Sequence, residues 1–292
     1  MLYSSWSAAE GESGPLRCEV LRLRTAELVS INAVPVALKA VPVTTRAAFV
    51  SISAALVCLA GWGAPAWGQV VDGAGRVGRV QSYGFSTSYS KTSSHILIGD
   101  AGQRRIWTLG VEYTHLLHQG QRFRLDYEGS LMPLFEETDP TVTGTIFTNG
   151  GQSLITPQTP VRVVSVDRGQ VGSAPIGGGL SVPLYALYGR QDTYAAAFSP
   201  LGARISALPR WRVQPSFAFD LGFVVSARDI PVDEADQFNY MFSLGPGVQF
   251  FSSPQASVRV EYIYRHVSNA HQGYENPGID QSVFRVTLSR RW

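Results

Sequence analysis

Beyond residue 69 the chain alternates between bulky and small or polar positions, in long runs. From Trp211 to Phe223 the odd positions are Trp, Val, Pro, Phe, Phe, Leu and Phe, and the even ones are polar or small. Phe238 to Phe250 repeats the pattern, and so does Phe123 to Leu131. A period of two belongs to strands, because successive side chains point to opposite faces. The runs are 9 to 14 residues long. An average soluble strand has about five or six residues, whereas about 9–11 are needed to cross a bilayer when tilted. The pattern therefore predicts membrane-crossing strands with bulky side chains towards lipid and polar ones towards a lumen.

Eight strands are predicted, at 81–90, 104–116, 121–134, 192–206, 211–226, 238–251, 256–268 and 280–292. The connections alternate in length. His118–Gln121, Ala207–Arg210 and Ser252–Gln255 are tight turns, while 91–103, 135–191, 227–237 and 269–279 are longer. Short periplasmic turns and long outer loops are the rule for outer-membrane barrels. The expectation is an all-β, eight-stranded antiparallel transmembrane β-barrel in the bacterial cell outer membrane. The second long connection, 135–191, is rich in Thr, Gly and Pro and reads as a loop. Val161–Val166 and Leu180–Tyr188 within it are candidates for an extra hairpin, above the membrane or as a ninth and tenth strand. Eight is the favoured count.

Composition supports this class. Hydrophobic residues make up 45% of the 292 and charged ones 16%, with 29 glycines and 17 prolines. That mix suits strands and turns. A net charge of +2 gives no reason to expect nucleic acid as a partner. No CxxC pair and no HExxH is present, so neither a cofactor nor a metal is expected. Glu112, Arg122, Arg124, Asp126, Glu128, Arg212, Asp220, Arg259, Glu261 and Arg265 fall in the lumen phase of their strands. They are read as ion pairs that fill a narrow barrel, which at eight strands is no pore.

Ahead of the strands, Lys39 to Arg46 is a positive stretch, Ala47 to Ala60 an apolar run of fourteen residues, and Ala66-Trp67-Gly68 a small-residue cleavage site. The run falls short of the roughly 18–20 residues that a spanning helix needs. It reads as a cleaved signal peptide. Residues 1–68 are thus an N-terminal extension and signal, and 69–292 the barrel domain. Cys18 and Cys58 both lie in the first part, so cysteine chemistry is not expected in the barrel.

Chemistry gathers at the last outer loop. On the seventh strand Val258, Val260, Tyr262 and Tyr264 are the lipid-facing set, and counting on by twos puts His266 and Ser268 on the same face. Counting back from Phe284, Val286 and Leu288 on the eighth strand puts Ser282 and Asp280 outside as well. A loop joining antiparallel neighbours brings these ends together. A base, a nucleophile and an acid would then meet at the outer rim, on the lipid side. The bland alternative is three ordinary rim residues.

His266-x-Ser268-Asn269-Ala270, followed by Asn276-Pro277-Gly278 and Asp280, resembles the lipid A 3-O-deacylase (PagL) family, also known as acyloxyacyl hydrolases. The likeness is specific over residues 262–292 and only architectural upstream. It implies an eight-stranded outer-membrane barrel acting on lipid A, the anchor of lipopolysaccharide, in the outer leaflet. It also implies His266 as base, Ser268 as nucleophile, Asp280 as acid and Asn269 as an oxyanion partner. The family's best-known acid is Glu, so the shorter Asp280 must still reach His266, and Glu275 in the loop is a fallback acid. The second long connection also exceeds what the family's compact pattern needs. Two other classes fit a small barrel: a non-catalytic one of the OmpA or OmpX kind, serving structure or adhesion, and an acyltransferase using the same ester chemistry.

Overall fold

The structure, a computed structural model, describes residues 81–149 and 152–291. The expected signal peptide, both cysteines and the terminal Trp292 lie outside the described residues. The described chain forms strands β1 (Gln81–Ser90), β2 (Arg105–Gln119), β3 (Phe123–Asn149), β4 (Gln152–Arg162) and β5 (Gln170–Gly177). β6 (Leu180–Ala207), β7 (Val213–Ile230), β8 (Asp236–Phe251), β9 (Ala256–Ser268) and β10 (Ile279–Arg291) follow. Every pairing is antiparallel, and all join sequence neighbours except β1 with β10 and β3 with β6. Those two contacts close β1, β2, β3, β6, β7, β8, β9 and β10 into a ring of eight. The all-β, eight-stranded barrel read from the alternation is the fold of the chain.

The stretch 135–191 is not the loop that its composition suggested. β3 and β6 continue past the ring and stay paired out to Ile146 and Tyr185. β4 lines the outer edge of β3, and β5 that of β6, which makes a four-stranded blade on the outer side. The physical reason lies in residue type. Thr141, Val142, Thr143, Thr145 and Ile146 are β-branched and favour strands, and three of the five prolines that argued for a loop sit where strands tolerate them. Pro157 and Pro160 are in β4 and Pro175 in β5, all on edges without an outer neighbour to demand their N–H. The extra hairpin lies above the ring, but at Gln170–Gly177 with Leu180–Tyr185; β4 ends at Arg162, before most of Val161–Val166. Within the ring, Pro133 and Pro200 fall at register shifts, where a bulge releases the pairing.

Alternation sorts the ring's side chains as expected. Phe85, Leu109, Phe217, Phe219, Leu221, Tyr262 and Phe284 stand exposed on the outer wall. Tyr83, Tyr113 and Tyr127 touch near the turn end, and Phe223, Phe238 and Tyr240 cluster near the loop end. These are the two aromatic girdles of a membrane barrel. Inside, Arg259 binds Glu112 and also meets Glu128 at 3.2 Å and Glu261 at 2.9 Å. Arg204 binds Glu128, and Arg285 meets Glu261 at 2.7 Å. Toward the loops an apolar layer of Ile106, Met132, Phe135, Met241, Val267 and Ile279 follows. Arg104, with Glu137 at 3.2 Å and Asp139 at 3.0 Å, adds a further buried ionic group.

Two lumen assignments change. Arg122 is exposed in the turn before β3, and Arg212 is only half-buried before β7, because both precede their strands rather than lie within them. Arg204 and Arg285 belong to the network although the alternation did not single them out.

Candidate active site at the outer rim

β9 and β10 form the frame of the site. Their register makes Asp280 and His266 direct cross-strand partners. Directly opposed residues share a face, with Cβ atoms about 4.5–5.5 Å apart. That proximity is why the short Asp side chain suffices: His266 Nδ1 lies 2.6 Å from Asp280 Oδ1. A carboxylate acceptor at that distance makes Nδ1 the protonated nitrogen, which leaves Nε2 as the basic one. Tyr264, two residues before His266 on the same face, donates its hydroxyl to the same Oδ1 at 2.7 Å.

Sequence reasoning missed what holds the other oxygen. The loop between β1 and β2 folds across the rim and presents three consecutive backbone donors to Asp280 Oδ2. They are the N–H groups of Ile96 at 3.2 Å, Leu97 at 2.6 Å and Ile98 at 3.0 Å. Five donors therefore converge on one carboxylate whose residue is 0% exposed. No residue-type signal could have shown this, since any residue but proline carries a backbone N–H. The one hint is Gly99, where a Cβ would stand 2.8 Å from Asp280 Oδ1. Only a glycine lets the loop come so close.

His266 is covered on the outward side of the barrel and stays 8% exposed. Phe242 on β8 lies against its ring, with centroids 5.3 Å apart. Gly278, at φ +58°, passes over the imidazole edge, where a Cβ would sit 3.0 Å from Cε1. Ser268 is two residues further along β9, on the same face and half-buried. Its Oγ accepts the Ala270 N–H at 3.1 Å and makes no hydrogen bond to His266 in this arrangement.

Beyond Ser268 the chain turns through Ala270 and His271, both at positive φ (52° and 62°). Asn269 organises that turn from a buried position. Its Oδ1 accepts the His271 N–H at 2.9 Å, and its Nδ2 donates to the Glu275 carbonyl at 2.9 Å. One amide hydrogen remains uncommitted. Glu275 is exposed and bonds through its backbone, donating its N–H to the Glu234 carbonyl. Its carboxylate makes no hydrogen bond to His266. The structure thus brings His266 and Asp280 together, sets Ser268 beside them on one face, and leaves Glu275 apart. Among the described residues, no group of three or more His, Cys, Asp or Glu is arranged to hold a metal ion.

Comparison with known proteins bears on this corner. Residues 163–289 match the family model for lipid A 3-O-deacylase (PagL). The resemblance read from His266 to Asp280 is thereby met by a match reaching well upstream of it, through β6, β7 and β8. Among solved structures, the outer-membrane enzyme PagL is similar at 13% identity and a TM-score of 0.41. The similarity covers 72% of this chain and 99% of that one. Neisserial surface protein A is similar at 8% identity and 0.39, over 72% and 97%. OprG from Pseudomonas aeruginosa is similar at 9% identity and 0.36, over 75% and 98%. A comparison with curated proteins finds no match. With its apolar wall, aromatic girdles and filled lumen, the chain is an outer-membrane β-barrel.

Proposed function

We propose that the chain is a serine esterase of the outer membrane that removes the 3-O-linked acyl chain from lipid A. The observation that carries this reading is the His266–Asp280 hydrogen bond of 2.6 Å on the lipid side of the rim, with Ser268 on the same face. A buried acid-base pair pointing away from the lumen serves no pore and adds nothing to the internal ion network. It is suited to a substrate that arrives sideways from the outer leaflet.

In the proposed reaction Asp280 fixes the Nδ1–H tautomer and stabilises the imidazolium that forms. Rotation of the Ser268 side chain carries Oγ from the Ala270 N–H towards Nε2 of His266. Oγ attacks the ester carbonyl as its proton passes to Nε2. The released Ala270 N–H, held in place by the Asn269 amide, then faces the developing oxyanion, with the free Asn269 amide hydrogen as second donor. One such donor is typically worth about 3–4 kcal/mol of barrier. The imidazolium gives its proton to the departing sugar oxygen as the acyl C–O bond breaks, so that the sugar leaves with a free hydroxyl and an acyl-Ser268 ester remains. Water, deprotonated by His266, hydrolyses that ester, and a free fatty acid leaves. No cofactor takes part, and Glu275 has no place in the scheme.

Mass spectrometry of lipid A from cells expressing the wild type or Ser268→Ala tests this reading. Loss of one hydroxyacyl chain that depends on Ser268 supports the esterase. Gain of a chain would indicate an acyltransferase, and identical spectra a non-catalytic barrel.

A further inference from the structure

The loop that caps Asp280 lies outside the residues matched by the family model, and its two sides differ sharply. The backbone side is built for the carboxylate, with the Ile96, Leu97 and Ile98 N–H groups all aimed at Oδ2. The same three residues are 40%, 63% and 60% exposed. Three consecutive large apolar residues turned to the surface are unusual unless something apolar meets them. The adjoining strands supply such a neighbour, with Tyr262, Phe284 and Leu288 continuing the exposed apolar wall.

The loop is closed and anchored. His95 Nδ1 meets the Gly99 carbonyl at 3.1 Å, which ties the ends of the 95–99 turn together. The Ala101 N–H donates to the Gly278 carbonyl at 2.9 Å, and the Ser94 N–H to the Asp280 carbonyl at 3.2 Å. Ser93 forms a β-bridge with Gln281. The strap thus grips both sides of the acid, and the Gly278 it holds is the residue that covers His266.

We infer that residues 95–100 are a lipid-facing clamp, whose Ile96, Leu97 and Ile98 side chains sit among acyl chains of the outer leaflet while their backbone holds Asp280 in position. This rests on the esterase reading above and adds to it a positioning element and a contact with the lipid. The three apolar residues engage the substrate's acyl region, and the three N–H groups act on the reaction only through Asp280.

Two sets of variants separate the halves of the clamp. In Ile96→Ser/Leu97→Ser/Ile98→Ser every N–H is kept and the apolar surface is lost. For lipid A in vesicles KM is expected to rise roughly tenfold, while kcat on a water-soluble short-chain ester stays within about twofold. Leu97→Pro instead deletes the donor closest to Oδ2, and kcat is expected to fall roughly tenfold on both substrates. Combined with Asp280→Asn, the same proline should cost less than about twofold, because the group it acts through is already gone. Should Leu97→Pro fold poorly, Gly99→Ala, which pushes the loop off Asp280, enters the same cycle. Additive losses in that cycle would overturn the positioning role, and an unchanged KM in the serine variant would overturn the lipid contact.

A reading that does not depend on catalysis uses the absence of cysteine after residue 58. A nitroxide on Leu97→Cys in vesicles should be more accessible to oxygen than to a water-soluble nickel chelate. The reverse order would also overturn the lipid contact. Wild type and Ser268→Ala are assayed alongside. Absent Ser268-dependent release counts against the esterase itself, while active wild type with additive losses counts against the clamp alone.

Discussion

Replacing Asp280 by Asn alters one atom of the site and has a calculable effect. Oδ2 accepts three backbone N–H groups, so an amide at this position must turn its oxygen to them. The NH2 group then lies where Oδ1 was, facing Tyr264 and His266 Nδ1. Facing a donor, Nδ1 gives up its hydrogen and becomes an acceptor. The proton moves to Nε2, and the imidazole can no longer take one from Ser268. An Asp-to-Asn change in an established serine protease triad, which leaves geometry intact but inverts the tautomer, costs about 10⁴ in kcat. A loss of about 10³–10⁴ is expected here, or roughly 4–5.5 kcal/mol of barrier. Because the loop N–H groups keep their acceptor, folding should be unaffected. Single-turnover release of fatty acid from lipid A vesicles measures the rate, and heat-modifiable migration on gels reports the folded barrel. A folded Asp280→Asn protein within about threefold of wild type would refute the orienting role of Asp280.

Other substitutions probe neighbouring links. Asp280→Ala removes the acceptor of five donors, each of which costs about 1–3 kcal/mol when left buried and unmet; faster hydrogen exchange at residues 96–98 is the expected readout. Asp280→Glu inserts a methylene where Gly99 leaves no room, and activity should drop roughly tenfold or more despite the retained charge. Gly278→Val places a branched side chain at φ +58° against the imidazole, and should lower kcat roughly tenfold in a folded barrel. Arg259→Ala removes the closest cation from Glu112 and one of the two closest from Glu128 and Glu261, leaving an excess of buried negative charge inside the ring, and should destabilise by about 3–5 kcal/mol, read by urea unfolding in vesicles.

How much of this was legible in the sequence depends on whether a contact leaves a trace in residue type. The ring of eight was legible, because lipid on one side and a charged lumen on the other impose a strong period of two. Where both faces meet water that contrast vanishes, so the upper halves of β3 and β6 read as loop. The pairing of His266 with Asp280 followed from phase, since two strands joined by one loop must oppose these positions. The reach of Asp280, doubtful by side-chain length, follows from the register. Capping by residues 96–98 was not legible, because backbone donors carry no code. Nor was the engagement of the Asn269 amide in its own turn, which depends on the positive φ of Ala270 and His271. Arg204 and Arg285 escaped notice because a lumen position gains meaning only from what lies across the barrel.

The proposed reaction has Ser268, activated by the His266–Asp280 pair, cleave an acyl ester of lipid A. Its most direct test is incubation of the purified barrel, folded in vesicles, with lipid A, followed by mass analysis of both lipid and protein. The expected products are a free 3-hydroxy fatty acid, lipid A lighter by that chain, and a trapped acyl group on the peptide carrying Ser268, all absent in Ser268→Ala. Release of the same fatty acid by the Ser268→Ala protein would contradict it.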